Sequence, residues 1–150
     1  MKKLFYLALI SLLFMACNDS TKIKNKVKLG PISVTETPLS ELEKSIERGA
    51  VVYEDFCMQC HMTNGKGVPG NFPPLAGSNW LTEKRKESIH SVKYGQRGEI
   101  QVNGVTYDGI MTPMGLSDAE VADVLNYVMN SWDNKQAKMV TVEEVTAVEK

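Results

Sequence analysis

The run Cys57-Met58-Gln59-Cys60-His61 gathers two of the chain's three cysteines and one of its two histidines into five positions. Four chemistries use thiols at that spacing. A structural zinc site needs four ligands, commonly two Cys/His pairs, and only Cys17 and His90 are left to form the second. A redox-active C-x-x-C works from a helix N-terminus that lowers a thiol pKa. Here the pair closes a helical pattern, and that end of a helix disfavours a thiolate. A structural disulfide suits an exported protein but leaves His61 without a task. Attachment of a c-type haem employs all three side chains. The thiols of Cys57 and Cys60 then become thioethers, and the His61 imidazole becomes an axial ligand of the iron. A pentapeptide also arises by chance, so the surrounding sequence must decide.

The elements that would position these residues are legible. Ser40-Glu41-Leu42-Glu43 is a capping box, in which a hydroxyl and a carboxylate satisfy first-turn N–H groups. Leu42, Ile46, Gly49, Tyr53 and Cys57 then recur at helical spacing, which predicts a helix over 42–56 that delivers Cys57 at its end. Gly49 in mid-helix costs about 1 kcal/mol against alanine, a cost that close approach of another helix would justify. Ser117-Asp118-Ala119-Glu120 is a second capping box, followed by the apolar stripe Val121, Val124, Leu125, Val128 and Trp132 with Tyr127 beside it. A weaker helix is predicted over 82–94, with Leu81, Ile89 and Val92 inward and Gly95 as its stop. Residues 100–107 alternate around Asn103-Gly104, the signature of a type I′ hairpin. Residues 62–80 follow no regular pattern, yet Phe72, Pro73, Pro74, Leu75 and Trp80 make them too apolar for a disordered linker. A loop of that length in a small domain is uncommon and usually functional; this one reads as wrapped around something large and flat.

Outside this core the chain changes character. Residues 1–16 carry two lysines and then an apolar run from Leu4 to Met15, the layout of a secretory signal peptide and too short for a comfortable transmembrane span. The sequence Phe14-Met15-Ala16-Cys17 resembles the end of a bacterial lipoprotein signal, in which the cysteine is lipidated. Phe14 stands where leucine is most often found, and ordinary cleavage that leaves Cys17 a free thiol is the alternative. Residues 17–38 are polar, with Lys22, Lys24, Lys26 and Lys28 alternating, and read as a solvated tether. Residues 39–133 form the domain. Residues 134–150 show no buried stripe and are expected to be a tail. Loss of residues 1–16 leaves 15 basic against 18 acidic residues, with no basic surplus for nucleic acid.

The stretch from Ser40 to Trp132 resembles the class I cytochromes c, small carriers with one haem. Gly49, Tyr53 and Cys57 match that family's glycine, aromatic and first haem cysteine, and Tyr127 matches the aromatic that packs across the glycine. Pro73 matches the proline whose carbonyl accepts the haem histidine's Nδ1–H, and Leu75 a residue packed on the haem face. The run from Tyr107 to Val128 resembles the family's passage from axial methionine into the last helix. The resemblance implies a mostly α fold, with three or more helices around one covalently bound haem c and a small β-hairpin.

The sixth iron ligand is chosen among Met111, Met114, His90 and none. The family's methionine has a glycine four residues on, as Met111 has Gly115; Thr112 replaces the usual proline and Pro113 follows. The resemblance therefore favours Met111, with Met114 second. It implies an electron carrier without catalysis of its own, meeting redox protein donors and acceptors and no small-molecule substrate, on the periplasmic side of a bacterial membrane that a lipid on Cys17 would hold. Two alternatives stay open: a dedicated cytochrome subunit of a dehydrogenase or terminal reductase, and a peroxidase or gas sensor with an open iron site.

Overall fold

The computed structural model describes residues 38–150. The expected signal peptide, Cys17 and all but the last residue of the tether lie outside the described residues. Six helices and one hairpin follow in the order α1 (Glu41–Phe56), α2 (Met58–His61), α3 (Asn79–Glu83), α4 (Arg85–Tyr94), β1 (Ile100–Val102), β2 (Val105–Tyr107), α5 (Asp118–Val128) and α6 (Val142–Thr146). None of them is long and apolar enough to cross a membrane.

Both capping boxes form: Ser40 and Ser117 each accept from the N3 backbone N–H while Glu43 and Glu120 reach back to the cap. The two long helices that these caps start are the frame of the fold. They cross where Gly49 meets the backbone of Asp123, so closely that a Cβ at Gly49 would overlap the Asp123 carbonyl and crowd Tyr127. Polar groups lock the crossing. The Asp123 carboxylate accepts from Ser45 Oγ at 2.6 Å and from Arg48 Nε and Nη2 at 2.6 and 2.7 Å. Tyr53, Tyr127 and Trp132 then pack ring against ring, with centroids 5.1–5.7 Å apart.

The hairpin has the expected register, with Val102 opposite Val105, and Asn103 and Gly104 take the positive φ of 52° and 78° that a type I′ turn demands. Three expectations need correction. The helix predicted over 82–94 is two, α3 and α4, because Lys84 adopts φ −122°, ψ 51° and breaks it. Trp132 is not on the helix whose apolar stripe it was read to continue: α5 ends at Val128, and Trp132, at φ 51°, turns back over Gly65. Residues 134–150 are not a tail. Val140 and Val145 are fully buried and Val148 is 5% exposed. The buried Asn126 side chain pairs with the Val140 backbone, donating to its carbonyl at 2.9 Å and accepting from its N–H at 2.7 Å. Arg85 holds the same segment through a two-pronged ion pair with Glu144 at 2.7 and 2.8 Å, and those hydrogen bonds hold the Glu144 carboxyl below its ordinary range.

Replacement of Gly49 by alanine tests the crossing. Helix propensity alone would gain about 1 kcal/mol, but the added methyl must push α1 away from α5, and overpacking of this kind costs about 1–3 kcal/mol, which at a contact this close outweighs the gain. Thermal unfolding of Gly49→Ala should therefore show a lowered midpoint; a raised one would mean that the two backbones do not touch.

Candidate functional site

The Cys57–His61 run is built by the end of α1. Cys57 caps that helix, its N–H donating to Tyr53 O at 2.9 Å, and Met58–His61 then makes one further turn, α2, with His61 N–H bonded to Cys57 O at 3.0 Å. In such a turn positions i, i+3 and i+4 share a face, so Cys57, Cys60 and His61 point to the same side. All three line one cleft of about 190 Å³. Burial first, and the neighbouring Cys60 second, push the Cys57 thiol up to about 11, opposite to the lowered pKa that a redox-active thiol needs. Among the described residues no three His, Cys, Asp or Glu side chains cluster as a metal site would require.

His61 is buried, and its Nδ1 lies 3.0 Å from the carbonyl oxygen of Pro73. A carbonyl only accepts, so Nδ1 carries the hydrogen and Nε2 keeps its lone pair. Burial lowers the imidazole pKa more than the Pro73 hydrogen bond raises it, so the ring stays neutral and basic at Nε2 through physiological pH.

The loop that brings Pro73 there is pinned at several points. Tyr53 Oη donates to Met62 O at 2.7 Å, Trp132 Nε1 to Thr63 O at 3.1 Å, and the N–H groups of Leu75 and Ala76 both to Gly65 O at 2.7 and 2.9 Å. Pro73 and Leu75 line the cleft as a result. Its inner wall comes from α5 through Val124, Leu125 and Val128, and its remaining sides from α4 and the hairpin.

Met111 and Met114 both face this cleft, whereas His90 does not. His90 packs against Tyr94 instead, the rings tilted by 60° with centroids 5.3 Å apart. The two methionines differ in how their backbones are held. Met111 exchanges two backbone hydrogen bonds with Gln96, at 2.9 and 3.0 Å, and no corresponding pair forms at Met114. The sequence reading missed Gln96, because a bridge between two single residues leaves no periodic trace; Gly95 just before it was the only signal, read there as a helix stop. Trp80 and Tyr107 also line the cleft without having been singled out as site residues.

Among the described residues no Lys, Arg, Asp or Glu lines the cleft. Two thiols on one face, a neutral imidazole with a free Nε2, thioethers within the same walls and a mostly apolar, uncharged lining suit a flat apolar group with a metal at its centre. They offer no charged acid or base for work on a polar substrate. The residues fit a covalently attached haem.

Comparison with known proteins gives the same direction. The Cytochrome c family profile matches residues 46–132. The chain is 41% identical over 106 residues to cytochrome c-552 of Thermus thermophilus, an alignment covering 65% of this chain and 80% of that protein. It is 30% identical over 112 residues to the cytochrome c subunit of a quinone-dependent alcohol dehydrogenase from Gluconacetobacter polyoxogenes, and 31% over 105 residues to a fructose dehydrogenase cytochrome subunit from Gluconobacter japonicus. Each of those alignments covers 65% of this chain but only 21% of the longer subunit.

Proposed function

The chain belongs to the cytochrome c family, which binds haem c covalently and transfers electrons, and from that premise we propose that it is a single-haem carrier held by Cys57 and Cys60, with His61 and Met111 as axial ligands. The observation that carries this reading is the gathering of these four side chains on one cleft without charge. A bound haem c supplies a one-electron couple, which the soft thioether biases toward ferrous iron. The chain's own residues do the rest. The Pro73 carbonyl fixes the tautomer and orientation of His61 and raises its basicity. Leu75, Val124 and Val128 give the cleft apolar walls against which the haem would pack. Met111 is preferred to Met114 because its backbone is anchored on both its N–H and its carbonyl. With His61 and Met111 both holding the iron, no position would remain for a substrate, so the open-site alternative would need Met111 not to bind it.

The partners are proposed to be redox proteins. The dehydrogenase cytochrome subunits among the relatives favour a second reading, in which this domain serves one dedicated oxidoreductase; electron transfer is common to both. Residues 1–16 and Cys17 support export and lipid attachment, which would keep the carrier at the membrane surface where such partners work. More than one acyl chain is needed for stable anchoring.

Three outcomes test this reading. Protein extracted with acid and organic solvent should retain one haem per chain, and replacing Cys57 and Cys60 together by alanine should release the haem or prevent its assembly; a chain purified with zinc and no porphyrin would overturn the proposal. Met111→Ala should abolish the sulfur-to-iron charge-transfer band of the ferric protein, lower the potential and open the ferrous iron to carbon monoxide. Met114→Ala should keep the band, and the reverse result moves the ligand by three residues. Cys17→Ser should leave uncleaved precursor or release a soluble exported form, and an intact mass for the wild type without acyl chains would remove the anchor while leaving electron transfer untouched.

A further inference from the structure

Four consecutive residues, Lys93 to Gln96, join two parts of the molecule that are far apart in sequence. Gly95 ends α4 at φ +86°, a conformation that side chains with a Cβ rarely adopt. A Cβ built there would stand 2.6 Å from the Met111 carbonyl oxygen and 3.0 Å from Pro113 Cδ. The next residue makes the bridge: Gln96 N–H donates to Met111 O at 2.9 Å and Met111 N–H to Gln96 O at 3.0 Å. Among the described residues these are the only backbone–backbone hydrogen bonds made between Asp108 and Leu116. The stretch that carries Met111 therefore hangs on the end of α4.

The end of α4 is in turn held from behind. Lys93 Nζ donates to the carbonyl of Val145 at 2.9 Å and of Val148 at 3.5 Å, and it pairs with the Asp118 carboxylate at 3.1 Å. Tyr94 Oη donates to Val148 O at 3.2 Å. These carbonyls belong to the C-terminal segment, beyond the residues 46–132 that match the family. The same segment is held separately at the first turn of α4 by Arg85 and Glu144.

We propose that Gly95 and Gln96 are positioning residues for Met111, and that the segment 140–148 keeps them in place through Lys93 and Tyr94. The inference rests on the reading of Met111 as axial ligand. A ligand on an unanchored loop must be ordered each time it binds, at an entropic cost. A ligand whose backbone is already fixed avoids that cost, in the way that groups behind a metal's ligands tune its affinity. Gly95 permits the approach, Gln96 makes the bonds, and the C-terminal segment keeps the last turn of α4 from fraying, as helix ends otherwise do.

The test compares holoprotein variants at the two ends of α4 by three readouts: the ferric charge-transfer band, the rate of carbon monoxide binding to the ferrous protein, and hydrogen exchange of the Met111 amide. Gly95→Ala should retain covalent haem but lose the band. Lys93→Gln should speed carbon monoxide binding and Met111 amide exchange by roughly tenfold, the scale of one lost hydrogen bond to a charged group. Tyr94→Phe should act in the same direction and more weakly, and Lys93→Arg should restore both rates. Arg85→Gln, which releases the segment at the other end of the helix, should lower the unfolding midpoint and leave band, binding rate and Met111 exchange at their wild-type values. An unaltered band and binding rate in Gly95→Ala would overturn the positioning role of the bridge. Equal effects of Lys93→Gln and Arg85→Gln would reduce the C-terminal segment to a general stabiliser and overturn its part. A wild type without the band would instead remove the axial methionine, and hydrogen exchange at Met111 would then still decide whether the bridge depends on Lys93.

Discussion

The contact of Gly49 with the Asp123 backbone sets the positions of almost everything else. Because α1 and α5 touch there without an intervening side chain, the next turns of both helices carry their aromatic residues into the same space, and Tyr53, Tyr127 and Trp132 close on one another. Tyr53 lies one turn before Cys57, so its packing fixes where α1 ends and which way the two thiols and His61 face. Its hydroxyl then reaches past the turn to the Met62 carbonyl. Trp132, covering Gly65 and bonded to Thr63, fastens the loop that supplies the Pro73 carbonyl to His61. A close helix crossing is thereby converted, through three rings and a few hydrogen bonds, into the orientation of one imidazole.

The irregular segments of the domain are held in a different way. Residues 62–78 and 108–116 hold no helix and no strand beyond isolated bridges, yet they contribute Pro73, Leu75, Met111 and Met114 to the cleft. Single polar anchors hold them. Asn79 and Asn103 exchange side-chain-to-backbone bonds at 2.9 and 2.7 Å, which ties α3 to the hairpin turn. Asn103 also donates to Gly77 O at 3.1 Å, and Asn134 donates to Leu75 O at 2.9 Å. Each anchor satisfies backbone groups that regular structure would otherwise have paired. A chain that must wrap a flat group on several sides gains from such point attachments, because helices and strands cannot curve that tightly.

This division explains what could be read from the amino-acid order and what could not. Local signals were legible. The capping boxes at Ser40 and Ser117, the Asn103-Gly104 turn and the thiol spacing each act within four residues, and each has its counterpart in the structure. Gly49 was legible as an anomaly, since a helix interior tolerates glycine only for a reason. The Lys84 break was hidden, because nothing in the type of that residue forbids a helix. The C-terminal segment was hidden for a related reason. Val140, Val145 and Val148 are too few and too unevenly spaced to show as a stripe, and the Asn126 side chain that seats Val140 lies fourteen residues away. A buried asparagine that pairs with backbone has no pattern to search for.

The candidate site divides along the same line. Cys57, Cys60 and His61 sit on one helical turn, so their type and spacing pointed to haem attachment, and the surrounding sequence had only to argue away a chance match. Met111 comes from a loop joined to Gln96 by two backbone hydrogen bonds, and its spacing to Gly115 could rank it above Met114 only through a family resemblance. The structure adds a physical difference between the two methionines, the double backbone bond at Met111. That difference matters for a carrier more than for an enzyme. A group that gains and loses one electron gives the protein no bond-making step in which to correct its geometry, so the ligands must be held alike in both states by the chain itself. As the proposed ligands, His61 would meet this demand through the Pro73 carbonyl, and Met111 through its backbone pair with Gln96 at the end of α4. In both cases the side chain that would touch iron is held by a backbone group belonging to another part of the chain.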